Sequence, residues 1–321
     1  MHTFSYEKPL SIDRAAGSSG KFIAGGTTLV DLMKLDIEQP AKLIDITALP
    51  LAQIEPLPNG GVRIGAMARN SALAWHPYIQ EHYPVLSQAI LSGASPQLRN
   101  MATTGGNLLQ RTRCPYFRDH TSGPCNKRNP GTSCSAIGGF HRTMAVLGVS
   151  EHCIATHPSD MCVAMTALDA TIYIQGAKGK RAIPIHDFYK LPGDTPHIEN
   201  ALEPGDLITH VELPPAIGQK QAYLKLRDRA SYEFALASAA IVANIEGGHI
   251  RSVRVALGGV GTRPWRAAEA EAILNGKAAT PANFQAAAEA ALRNARPHTE
   301  NTFKVELARR CIVRALKTAT A

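Results

Sequence analysis

The chain has 321 residues, 45% of them hydrophobic, and a formal net charge of +8. That length supports two domains with cores of their own, and no run of about 18 uncharged apolar residues is present to insert in a membrane. The basic residues are scattered and match no recognition motif, which argues for an acidic partner or substrate and against nucleic acid.

The N-terminus, MHTFSYEKPLSIDRAAG, has neither an apolar signal core nor a twin-Arg pair, so no export signal is expected on this chain. KFIAGGTTLVDLMKLDIEQP predicts a short strand, a Gly-Gly-Thr-Thr turn and an amphipathic helix. AKLIDITAL and GGVRIGAMARN read as strands. SALAWHPYIQEHYPVLSQAILSGASPQLRN reads as helices with Leu73, Ile79, Tyr83, Val85, Leu86, Ala89 and Ile90 on their apolar faces. MATTGGNLLQR is a second Gly-Gly turn. About 40 residues without convincing period follow, and loops of that length inside a domain are functional or disordered.

HPSDMCVAMTALDATIYIQG predicts a helix and then a strand. KRAIPIHDFY, DLITHVELPP and the run from Gln221 to Arg266 supply further strands, with a helix expected from about Ala235. AEAEAIL, PANFQAAAEAALRNA and ENTFKVELARRCIVRALKTA are helical, the last starting near residues 302–304. PPAIGQK breaks the pattern and places a domain boundary at Pro214–Gln219.

The two glycine turns carry the first chemical signal. Glycines let a backbone approach a ligand closely, and a following helix start offers free N–H groups and positive dipole. Thr103, Thr104 and Asn107 add polar side chains to the second turn. Two such turns suit a diphosphate, although each is also an ordinary structural turn. Neither fits the P-loop or the Rossmann fingerprint.

The six cysteines carry the second signal. A chain of this size has no need of disulfides. Cys311 and Cys162 lie in helical patterns and read as small buried apolar residues. Cys114, Cys125, Cys134 and Cys153 remain, gathered in the long loop.

AGGTTLVDLMK, TTGGNLLQ, HPSDM and LKLRDRASYEFALASAAI together resemble the flavoprotein subunits of the xanthine dehydrogenase and molybdenum hydroxylase family. The resemblance covers nearly the whole chain. RTRCPYF, PCNKR and VSEHCIATHPSDM are similar to aldehyde-oxidising members whose flavoprotein subunit carries an inserted iron–sulfur loop.

This resemblance implies an α+β fold: a two-subdomain FAD-binding domain over residues 1–216, with a cysteine-rich loop at 111–153, then a smaller α/β C-terminal domain over 217–321. It implies a first FAD loop of Lys21, Phe22, Ile23, Ala24, Gly25, Gly26, Thr27, Thr28 and Leu29. The second would be Thr103, Thr104, Gly105, Gly106 and Asn107. Asp160, Ile208 and Lys225 would be further FAD contacts. Read without the resemblance, Asp160 is a helix N-cap and Lys225 a solvated surface lysine. Cys114, Cys125, Cys134 and Cys153 would bind a [4Fe–4S] cluster, with Cys162 as an alternative ligand and structural zinc as the competing occupant. Arg111, Arg113, Lys127 and Arg128 would offset the cluster's negative charge.

The implied function is electron transfer. A partner with molybdenum cofactor would oxidise an aldehyde to a carboxylic acid, and a [2Fe–2S] partner would relay the electrons to FAD here. They would leave to an external acceptor. The alternatives are an NAD-reducing subunit of the xanthine dehydrogenase type and a zinc-binding scaffold without enzymatic activity. The expected compartment is the periplasm, reached with a partner that carries the signal, with the cytoplasm as the alternative.

Overall fold

The structure, a computed structural model, describes residues 1–218 and 220–321. Gln219, at the end of the predicted boundary, lies outside the described residues. Three sheets organise the described residues. The strands are β1 (Ser5–Glu7), β2 (Lys21–Ile23), β3 (Lys42–Asp45), β4 (Ile54–Pro56), β5 (Val62–Gly65), β6 (Thr171–Gly176), β7 (Gly179–Pro184), β8 (Leu207–Leu213), β9 (Lys220–Leu226), β10 (Ala237–Glu246), β11 (His249–Gly258) and β12 (Trp265–Arg266).

The first sheet is parallel, in the order β1-β3-β2. Its strand β2 ends directly at the first glycine turn, and the helix Leu29–Lys34 follows. The second sheet is antiparallel, in the order β4-β5-β8-β6-β7. Ile172 and Ile174 of β6 alternate inward, as a half-covered strand requires. They join Tyr83, Leu86, Met165 and Phe188 in one core.

The third sheet, β12-β11-β10-β9, is also antiparallel. The helices Ala268–Leu274, Pro281–Ala291 and Phe303–Thr320 pack together and on this sheet. The helix Asp160–Ala167 contacts both β10 and β11. Every residue of it from Met161 to Ala167 is buried, so it has no polar face.

β10 corrects one expectation. A helix was expected from about Ala235, but ASAAIVANIE is a strand of 10 residues. Ala240 and Val242 enter the core shared with the helices that carry Leu73 and Leu86, while Ala239, Ile241 and Ala243 enter the C-terminal core. A strand covered on both faces shows no alternation, and its alanines imitate helix composition. TTGGN also differs from a plain turn. It forms the helix Thr104–Leu108, with the Thr103 hydroxyl accepting from the Gly106 amide at 3.2 Å.

Asp169 locks the two halves of the chain together. Its carboxylate meets His186 at 2.8 Å, Arg266 at 2.5 Å and Arg254 of β11 at 2.8 Å. Burial pushes this carboxyl up, but the His186 hydrogen bond and the two arginines outweigh it and hold its pKa at about 2. The folded pKa lies below the unfolded one, so this contribution is present above about pH 4 and is lost as pH falls toward 2. In urea unfolding Asp169 should therefore account for about 2 kcal/mol of the stability that wild type loses across that window, and Asp169→Asn should lack that part of the slope.

Candidate cofactor-binding site

A cleft of about 830 Å³ opens between the first sheet, the helix Thr104–Leu108 and the segments 153–158 and 189–208. Its size suits a large cofactor. Most of the predicted FAD residues line it: Lys21, Phe22, Ala24, Gly25, Gly26, Thr27, Thr28, Leu29, Thr103, Gly105, Gly106 and Ile208.

The first glycine turn is built for close approach. The amides of Gly25, Gly26, Thr27 and Thr28 have no backbone acceptor among the described residues. Gly26 adopts φ +72°, a left-handed conformation that favours glycine. A Cβ on Gly25 would overlap the Met101 carbonyl oxygen, which also accepts from Arg69. Gly25→Ala should displace that carbonyl, deform the turn and weaken FAD binding by about tenfold or more, roughly 1.4 kcal/mol. Titration of the deflavinated chain with FAD, followed by flavin fluorescence, would show it. Wild-type affinity in the variant would contradict the role given to this turn.

Ile23, Thr104 and Asn107 stand behind the cleft wall. The Ile23 carbonyl accepts from the Ile46 amide at 3.1 Å. The Thr104 hydroxyl donates to the Ala68 carbonyl at 3.2 Å. Asn107 Oδ1 accepts from Ser159 Oγ at 2.7 Å and Gln110 Nε2 at 2.6 Å. These three shape the loops that border the cleft.

Asp160 and Lys225 meet each other, 65 positions apart in sequence. Lys225 Nζ lies 2.8 Å from Asp160 Oδ2, with side chains only 4% and 9% exposed. Tyr223 Oη donates to the other carboxylate oxygen at 2.6 Å, and Lys225 also donates to the Ser92 carbonyl at 3.2 Å. The helix N-cap is Ser159, not Asp160, and Lys225 is not a surface lysine. Asp160 lines a smaller cavity of about 80 Å³, which shares Thr112, Thr156, His157 and Pro158 with the cleft.

The cysteine loop folds around its own small core. Cys114, Cys125 and Cys153 are buried with Phe117, Ala136 and Met144, and Cys134 packs against them. All four thiols are free and line one small cavity. Burial pushes Cys114 up to about 12 and Cys153 up to about 11, with the Lys127 ammonium pulling Cys153 the other way. Such thiols would ionise only with a cation beside them. Among the described residues no group of three or more His, Cys, Asp or Glu closes on a single metal ion. Cys162 is apart from this cavity, fully buried in its helix, where its sulfur accepts from Tyr189 Oη at 3.0 Å.

Two wall residues escaped the sequence reading. His157 stands edge-on to Tyr189 at 4.8 Å, and burial lowers its pKa to about 4, so it is neutral. Its place in HPSDM was the available signal. Glu199 pairs with Arg111 at 2.5 Å and Lys127 at 3.0 Å. Those charges hold it below the usual carboxylate range against burial, which pushes it up. Nothing local in PHIEN marks it, because its partners lie about 70 to 90 positions away.

Residues 3–216 match the family model described as the FAD binding domain in molybdopterin dehydrogenase, and residues 221–319 match the CO dehydrogenase flavoprotein C-terminal domain. The chain belongs to this family of flavoprotein oxidoreductase subunits of molybdenum hydroxylase complexes. It is 53% identical over 329 residues to the aldehyde oxidoreductase FAD-binding subunit PaoB of Escherichia coli K12, covering 100% of this chain and 99% of that one. It is 28% identical to the glyceraldehyde dehydrogenase medium chain of Sulfolobus acidocaldarius, covering 85% of this chain and 82% of that one. Among solved structures, a chain of the carbon monoxide dehydrogenase of Hydrogenophaga pseudoflava superposes with a TM-score of 0.76 at 29% identity, covering 98% of this chain and 96% of that one.

Proposed function

We propose that this chain is the FAD- and [4Fe–4S]-carrying electron-transfer subunit of a heterotrimeric molybdenum aldehyde oxidoreductase. The observation that carries the proposal is a shared wall. Cys153 and Lys127 line both the thiol cavity and the FAD cleft, so two redox centres would sit side by side. The donor set, four cysteines without a paired C-x-x-C spacing, favours a cluster over zinc. The four free thiols that line one cavity are the ligands such a cluster would take.

The reaction itself belongs to the partners. Aldehyde and water give carboxylic acid, two electrons and two protons at a molybdenum subunit, and a [2Fe–2S] subunit relays the electrons. FAD, when bound here, accepts electrons singly and releases them in pairs to an external acceptor. The chain's residues would hold that cofactor: Gly25–Thr28 line the cleft with amides that meet no backbone acceptor among the described residues, and the Asp160–Lys225 pair ties the helix after HPS to the C-terminal sheet. The assembled complex would work in the periplasm, exported by a partner that carries the signal.

The test is anaerobic addition of an aldehyde to the chain copurified with both partners. The flavin absorbance should bleach, and it should stay unchanged when the chain is alone. Aldehyde turnover with the flavin remaining oxidised would overturn the proposal.

A further inference from the structure

Arg118 and Arg142 of the loop pair with Asp31 and Asp228, and the structure separates the tasks of the other four cations, Arg111, Arg113, Lys127 and Arg128. Arg128 is committed to the backbone, donating to the carbonyls of Tyr116, Phe117, Asp119 and Gly123. Arg113 turns toward Asp31 and lies over the Phe234 ring, 5.0 Å from its centroid. Arg111 sits between Glu38 at 2.8 Å and Glu199 at 2.5 Å. Of the four, only Lys127 borders the thiol cavity.

Lys127 is also fixed. Its Nζ donates to the Pro196 carbonyl at 2.8 Å and pairs with Glu199 at 3.0 Å, and the side chain is only 10% exposed. Pro196, Glu199 and Lys127 itself all line the FAD cleft. One ammonium therefore stands in the wall between the two cavities, held from the cleft side.

Reduction adds negative charge to either centre. A fixed cation beside it stabilises the reduced form and raises the potential, and a fixed anion lowers it. Burial keeps solvent and salt from screening the effect. Glu199 moderates Lys127, and Arg111 in turn moderates Glu199 through its other carboxylate oxygen.

We propose that Lys127 is a positioning residue for charge, setting the reduction potentials of the flavin and of the neighbouring cluster together, with Glu199 as its counterweight. The inference rests on the cluster reading of the four thiols for one of its two arms and on FAD binding alone for the other.

The experiment is a potentiometric titration of the full chain, copurified with its partners. The reduced cluster is followed by electron paramagnetic resonance and the flavin by absorbance. Lys127→Met should lower both potentials by about a tenfold change in the one-electron equilibrium, roughly 59 mV. Lys127→Arg, which keeps the charge, should stay near wild type. Glu199→Gln should move both potentials the opposite way. Unmoved potentials in Lys127→Met, with iron and FAD content intact, would overturn the proposal. If that variant loses its cofactors, Glu199→Gln decides alone: a rise supports the assignment and no change overturns it. Wild-type protein without iron would defeat the cluster reading, and the flavin potential would then decide the role of Lys127.

Discussion

Cys153→Ser should strip the iron from the purified chain, while Cys162→Ser should leave it in place. The two thiols are nine positions apart, but the fold separates them completely. Cys153 lines the thiol cavity with Cys114, Cys125 and Cys134. Cys162 is locked in a buried helix and accepts a hydrogen bond from Tyr189. A serine hydroxyl is a poor replacement for a thiolate on iron. Iron and acid-labile sulfide should fall from about four each per chain to below about one in Cys153→Ser. Cys162→Ser should keep its iron and lose only about 1–2 kcal/mol of stability, since a small buried thiol becomes a hydroxyl. Equal iron loss in both variants would contradict this division.

Asp160→Asn should destabilise the chain by about 3–5 kcal/mol, because it leaves the Lys225 ammonium buried without its counter-charge. Lys225→Met should cost about as much for the converse reason. The double variant should cost clearly less than the sum, since it removes both charges at once. The pair joins the first turn of the helix Asp160–Ala167 to strand β9 of the C-terminal sheet. Its loss should therefore loosen the seam between that helix and the C-terminal sheet and lower FAD affinity as well. Urea unfolding of the four proteins in the cycle would measure the coupling. Single variants within 1 kcal/mol of wild type would show that the pair is not the latch described here.

What the sequence disclosed followed the range of the interactions. The AGGTT turn was legible because strand, turn and helix are contiguous and the glycines are needed locally. TTGGN was legible as a glycine feature, but its helical form depends on the Thr103 cap and on Gly105 packing beside Ala66. β10 was misread because both of its faces are covered, which erases the alternation that marks a strand. The resemblance gave Asp160 and Lys225 as separate contacts, and only the fold brings them into one buried pair. Glu199 carried no local sign at all. The four cysteines were legible as a group, yet no spacing rule states that they border a single cavity; Arg128 and Asn126 help to draw the loop closed, Asn126 by donating to the His152 carbonyl at 3.1 Å.

The proposed subunit would hold two redox cofactors side by side in one chain. The most direct measurement is the iron, acid-labile sulfide and FAD content of the full chain purified without oxygen. Two such cofactors should give about four irons and four sulfides for each FAD, and no zinc. FAD without iron, or zinc in place of iron, would contradict it.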